Sequence, residues 1–188
     1  MSERIVNVHP KEYKGKSYRS TLEAKTAEIL DLMGVEYLYE PYKITLLEGF
    51  RSPFQDRKVV SITYTPDFVL NNILLECKGF ETPEWKLKKK LLFRYIQDKE
   101  PNLIFYQVKD CRKQLIEALD NHWQDLGYNI EVTPKPTRKT IGETKTFSSV
   151  KEAMKELNLM GKPMGAIVNS LTGKKEFVYN YSWKLTKL

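Results

Sequence analysis

Cysteine and histidine are scarce here, with two of each among 188 residues. Cys77 and Cys111 cannot build a disulfide framework, and both are expected as plain core residues. His9 and His122 are too few for a histidine-based metal site. No run of about 18 apolar residues exists, which excludes a membrane-spanning helix, and Met1-Ser2-Glu3-Arg4 leads into no apolar signal region. The expectation is a soluble, cytoplasmic protein that engages no membrane and needs no organic cofactor. What is present suits a packed core: 41% of the residues are hydrophobic, and the length fits one domain or a domain plus a small module.

Charge is distributed unevenly. Residues 134–188 carry 11 Lys and Arg against 4 Asp and Glu, a net of +7. The whole chain has 31 and 24, so residues 1–133 hold 20 of each and are neutral. A basic module on a charge-balanced body suits contact with a phosphate backbone, and a solvated basic face is the plainer alternative. No strong apolar face accompanies these lysines, which argues against a membrane surface.

The pattern along the chain is mixed α/β. Ser20-Thr21-Leu22-Glu23 has the form of a capping box and Gly34 closes the apolar pattern, which predicts a helix over 20–33. Strands are predicted over 35–42, 43–47 and 59–65, broken by Pro41, Gly49 and Pro53. Pro83 and the run over 85–97 read as helical, and a strand over 102–108 and a helix over 111–126 follow. Thr133-Pro134-Lys135-Pro136-Thr137-Arg138 reads as a linker. The expected organisation is therefore a domain over 1–133, a basic linker over 134–146 and a module over 147–188. That module shows a Ser149/Glu152 capping box, a second short helix through Met164, Ile167, Val168 and Leu171, and a closing strand from Tyr179 to Lys184.

The chemistry concentrates in Thr65-Pro66-Asp67-Phe68-Val69-Leu70, then Asn71-Asn72, then Ile73-Leu74-Leu75-Glu76-Cys77-Lys78-Gly79. Asn tolerates the positive φ that primed turns demand at both central positions, so the pattern predicts a two-residue hairpin. Leu70 then faces Ile73, Asp67 faces Glu76 and Thr65 faces Lys78. Two carboxylates with Cβ atoms about 5 Å apart repel each other unless a cation lies between them, and a hard divalent ion would supply it. In the plainer alternative Asp67 caps a turn while Glu76 and Lys78 sit on a solvated strand. The unbroken Ile-Leu-Leu run argues for a strand buried on both faces, where charges require partners.

Glu23 shares a helix face with Ala27 and Leu30, so its side chain either points inward or completes the cap with Ser20. Lys86, Lys88, Lys89, Lys90 and Arg94 either track phosphates along a helix or form a solvated face, with Leu87, Leu91 and Ile96 packed inward.

A helix glutamate, Pro66-Asp67, Glu76-Cys77-Lys78 and a basic helix, in that order, resemble the PD-(D/E)XK nuclease superfamily. Tyr18-Arg19-Ser20-Thr21-Leu22-Glu23, Tyr64-Thr65-Pro66-Asp67-Phe68 and Glu76-Cys77-Lys78-Gly79 resemble the phage junction-resolving enzymes of the endonuclease I type, over about residues 17–110. The tail resembles the NUMOD-type DNA-binding modules of phage and intron homing endonucleases. These resemblances imply a restriction-endonuclease-like core, a central mixed sheet flanked by helices, followed by a small helix-turn-helix-like module. They imply that Glu23, Asp67 and Glu76, with the Cys77 carbonyl, hold Mg²⁺, with Mn²⁺ able to substitute, and that Lys78 sits beside the attacking water. They further imply a DNA substrate, a phage protein working in the host cytoplasm, and a homodimer where two strands are cut. Lys86, Lys89, Lys90, Arg94, Arg138, Lys139, Lys162, Asn169, Lys174 and Lys175 are the candidate DNA contacts. Site-specific homing cleavage of duplex DNA is the favoured expectation. Resolution of branched DNA is the second, and a DNA-binding protein with a vestigial site the third.

Overall fold

Glycines, prolines and capping side chains divide the chain into short elements, which a computed structural model describes over residues 10–137 and 142–188. In chain order these are β1 (Lys11–Tyr13), β2 (Lys16–Tyr18), α1 (Thr21–Met33), β3 (Leu38–Tyr39), β4 (Ile44–Leu47), β5 (Ile62–Tyr64), β6 (Phe68–Leu70), β7 (Ile73–Cys77) and α2 (Pro83–Lys99). There follow β8 (Ile104–Val108), α3 (Lys113–Leu119), β9 (Tyr128–Pro134), β10 (Lys145–Phe147), α4 (Val150–Glu156), a 3-10 turn at Met164–Ala166, α5 (Val168–Leu171) and β11 (Tyr181–Lys187). The mixed α/β class is as expected. Two compact units result, residues 37–107 and residues 1–36 with 108–188.

The unit 37–107 is built on a sheet of order β3-β6-β7-β8, beside which β4 and β5 form an antiparallel pair. The register of β6 on β7 is the predicted one: Leu70 faces Ile73, Val69 faces Leu74 and Phe68 faces Leu75. Asn71 has φ 51° and is the only residue of the two-residue turn with positive φ, so the expected left-handed conformation at both positions is corrected to the first alone. All five residues of β7 are buried, as its continuous apolar run predicted. Strand pleating sends Val69 and Leu74 to one face, where they pack with Ile44, Tyr64, Trp85 and Leu92. Phe68 goes to the other face, its ring 5.3 Å from Tyr37 and 5.4 Å from Tyr39. Each fully buried large apolar side chain of this kind contributes about 1.5–3 kcal/mol.

Several expectations for this unit are corrected. The strand expected over 35–42 shrinks to β3, because Glu40 turns left-handed at φ 47° before Pro41. α2 takes in Pro83 in its first turn, as expected, and Thr82 Oγ1 accepts from Trp85 N at 3.1 Å. Its buried side chains are Trp85 and Leu92, whereas Leu87, expected to pack inward, is 58% exposed.

In the other unit α1 forms as predicted, with Ser20 as N-cap and Gly34 as a left-handed C-cap at φ 71°. Of the stretch expected as a linker, Pro134 ends one strand and Lys145 opens another, and residues 138–141 lie outside the described residues. β9 ends at Pro134 and pairs with β11 from Tyr128↔Lys187 to Pro134↔Tyr181, with β10 on its other edge. Proline is tolerated there because the strand ends with it. The helix expected over 111–126 is confined to α3; Asp120, just beyond it, is fully buried and accepts from Val150 N at 2.7 Å and Lys151 N at 3.0 Å, capping α4 from outside. Burial pushes the Asp120 carboxyl up from its ordinary value, and these backbone donors oppose that shift. Ser149 Oγ accepts from Glu152 N at 3.1 Å, as the predicted capping box requires. Trp183 is fully buried, its indole donating to Val178 O at 3.0 Å. Cys77 is buried but Cys111 only half-buried, and neither is in a disulfide. No helix of the described residues is long and apolar enough to cross a membrane.

Candidate active site

The hairpin register sets Asp67, the residue before β6, opposite Glu76 on β7. Both carboxylates are buried, on the sheet face that α2 covers. Asp67 Oδ2 accepts from Cys77 N at 2.7 Å, which ties the carboxylate to the neighbouring strand. Glu76 Oε2 accepts from Tyr64 OH at 3.1 Å. Lys78 brings its ammonium to 3.9 Å from Glu76 Oε1 and 5.4 Å from the centre of the Trp85 ring. Its side chain keeps 37% of its exposure, so the cation borders both the buried carboxylate and solvent.

Tyr64 and Trp85 were not singled out from the sequence, yet they frame this group. Their rings stand 5.8 Å apart, and the Trp85 indole donates to Gln107 Oε1 at 3.0 Å. Desolvation pushes the Tyr64 hydroxyl far above its ordinary value, reinforced by the charges of Glu76 and Asp67 and by the hydrogen bond to Glu76. It is therefore a fixed donor at neutral pH. The available signal was positional: Tyr64 ends a strand two residues before Pro66-Asp67.

Glu23 lies in the other unit, at the third position of α1, and its burial agrees with the inward orientation. It also serves as a cap. Ser20 Oγ donates to Glu23 Oε1 at 2.7 Å, and Arg19 N donates to Oε2 at 3.1 Å. The two roles weighed from the sequence thus coincide in one side chain. Among the described residues no group of three or more His, Cys, Asp or Glu is gathered closely enough to hold a metal ion; the carboxylates paired across the hairpin are Asp67 and Glu76.

The sequence pattern of a family described as phage endonuclease I matches residues 6–117, more than half of the chain. The chain belongs to the phage endonuclease I family. The matched stretch contains Glu23, Asp67, Glu76 and Lys78, and residues 118–188 lie beyond it. No curated protein and no solved structure matches the chain.

As a member of the phage endonuclease I family the chain is a nuclease, and its basic side chains divide by what they touch. Lys86 and Lys90 of α2 are exposed. Lys89 instead binds Glu81 at 2.6 Å and Gln107 at 3.2 Å, joining α2 to the loop before it and to β8. Arg94 pairs with Asp98 at 2.7 Å along the helix. In the other unit Lys162 and Lys175 are exposed, Asn169 is half-buried, and Lys174 pairs with Glu28 at 3.3 Å. Arg138 and Lys139 lie outside the described residues.

Proposed function

We propose that the chain is a divalent-metal-dependent DNA endonuclease whose cleavage centre is Asp67, Glu76 and Lys78. The observation that carries this reading is the opposition of two buried carboxylates across a tight hairpin, with an ammonium 3.9 Å from one of them, in a chain of the phage endonuclease I family. Like charges so placed destabilise the strand pair unless a cation is held there. The donors fit the group: Asp67 and Glu76 are hard oxygen ligands, and Mg²⁺ is commonly bound through one or two carboxylates together with substrate phosphates and retained waters. Mn²⁺ accepts the same oxygen donors. Such an ion, when bound, supplies Lewis acidity toward phosphoryl oxygen and lowers the pKa of a coordinated water.

The remaining work falls to the protein's own groups. Tyr64 OH and Cys77 N–H orient the two carboxylates by donating to one oxygen of each. Glu76 and the Trp85 ring confine the Lys78 ammonium, which offers positive charge to a phosphate oxygen as negative charge builds on the pentacovalent phosphorus. The Cys77 carbonyl is a further ligand in this proposal. The order of Asp67 just before β6, Glu76 on β7 and Lys78 just after it, followed by α2, supports a PD-(D/E)XK core.

Branched DNA is the favoured substrate, because the family match covers the stretch that resembles junction-resolving enzymes, and a homodimer would pair two nicks. Site-specific cleavage of duplex DNA is the second reading, favoured by the net +7 of residues 134–188, which lie beyond the family match. Cleavage of a synthetic four-way junction and of a linear duplex of the same sequence, each with Mg²⁺ and with EDTA, decides between them. Junction-selective, metal-dependent cutting is expected. Discrete fragments from the duplex alone would favour site selection, cutting in EDTA would refute the metal reading, and binding without cutting would leave a vestigial site.

A further inference from the structure

The β4–β5 arm begins at the cleavage centre and leads away from it. Tyr64, which holds Glu76, ends β5 opposite Ile44, and the pairing continues through Thr45↔Thr63 and Leu47↔Ile62. Phe50 and Val59 then exchange backbone hydrogen bonds of 3.0 and 2.8 Å. Gly49 permits this closure: a Cβ there would stand 2.9 Å from Val59 O and 3.0 Å from Ser61 N.

Residues 51–58 form a braced tip. Phe54 N donates to Ser52 Oγ at 3.2 Å, Gln55 Nε2 donates to Arg57 O at 3.0 Å, and Pro53 fixes its own φ. At this tip Phe54 is 94% exposed, with Val60 at 77% and Phe50 at 49% behind it. Arg51, Arg57 and Lys58 are exposed, as are Asp56 and Glu48. Exposed large apolar side chains on one hairpin mark an interaction site. The three cations against one acid between residues 51 and 58 make its complement anionic.

We propose that this arm is a DNA-engaging wedge: the Phe54 ring stacks on an unstacked base or enters a base step, while Arg51, Arg57 and Lys58 contact the flanking phosphates. Phenylalanine wedges of this kind kink duplexes, and aromatic stacking is tolerant of sequence because every base offers a π face. The path from Tyr64 to Val59 spans about 16 Å at ~3.3 Å per residue. The proposal rests on the chain acting on DNA, and it assigns the recognition of distorted DNA to an element outside the cleavage centre.

The test uses the full chain. Binding of a fluorescein-labelled four-way junction is measured by anisotropy in Ca²⁺, and cleavage of the same junction in Mg²⁺. Phe54→Ala is expected to weaken binding roughly tenfold, the size expected for loss of one base–aromatic stack, with Phe54→Trp restoring it. Arg57→Ala is expected to lower the salt dependence of binding by about one phosphate contact, whereas Phe54→Ala leaves that slope unchanged. Wild-type affinity in Phe54→Ala, or equal weakness in the Ala and Trp variants, overturns the wedge while the nuclease reading stands. Sedimentation that shows Phe54→Ala losing self-association at unchanged DNA affinity also overturns it, assigning the tip to a second copy of the chain. A wild-type protein that neither binds nor cuts the junction removes the nuclease reading, and the wedge with it.

Discussion

The phenol of Tyr64 donates to Glu76 Oε2 at 3.1 Å from a buried position that keeps it protonated. The pair links the end of the β4–β5 arm to a candidate catalytic carboxylate. Tyr64→Phe leaves that buried oxygen short of a donor, at a cost of about 1–3 kcal/mol in urea denaturation. Cleavage is expected to slow by about tenfold, the equivalent of ~1.4 kcal/mol. The pH dependence follows from the raised native pKa. The stability Tyr64 contributes is fully present below its ordinary value of 10.0 and is lost as pH rises beyond it. Stability measured between pH 8 and 11 should therefore show an alkaline decline that the Phe variant lacks in part.

Asp120 adds a distant cap to the local one of Ser149, accepting from the first two backbone N–H groups of α4 and, at 3.3 Å, from Trp123 Nε1. Asp120→Ala orphans these buried donors, so a loss of about 2–4 kcal/mol is expected from denaturant midpoints. A loss below ~0.5 kcal/mol would contradict this account of the cap.

Removing residues 134–188 deletes β10 and β11 and leaves β9 without a neighbour on either edge. Ile130 and Val132, both buried, would then face water. The truncated chain is expected to aggregate or to show no cooperative thermal unfolding, and a soluble product with an unchanged Tm would refute this.

Local features of the fold were readable in the sequence. Asn71-Asn72 between two apolar runs set the β6–β7 register, and Ser20 with Glu23 and Ser149 with Glu152 marked helix starts. These signals act over two to four residues. Tyr64 and Trp85 escaped notice because their roles depend on β5 and α2 folding back onto β7. The strand character of residues 128–134 was masked by Pro134 and by the distance to its partner strands, which begin only at residues 145 and 181. Leu87 was misjudged because the buried stripe of α2 runs through Trp85 and Leu92, seven residues apart, and Leu87 falls on the opposite side.

The central claim is that Asp67 and Glu76 hold the divalent ion on which cleavage depends. Asp67→Ala and Glu76→Gln, checked for retained fold by circular dichroism, should be assayed for junction cleavage and for Mn²⁺ binding by electron paramagnetic resonance. The account predicts that each variant loses cleavage by at least about a thousandfold, as removal of essential catalytic groups does, and that Mn²⁺ binding weakens in parallel. A folded Asp67→Ala protein that cuts at the wild-type rate would contradict it.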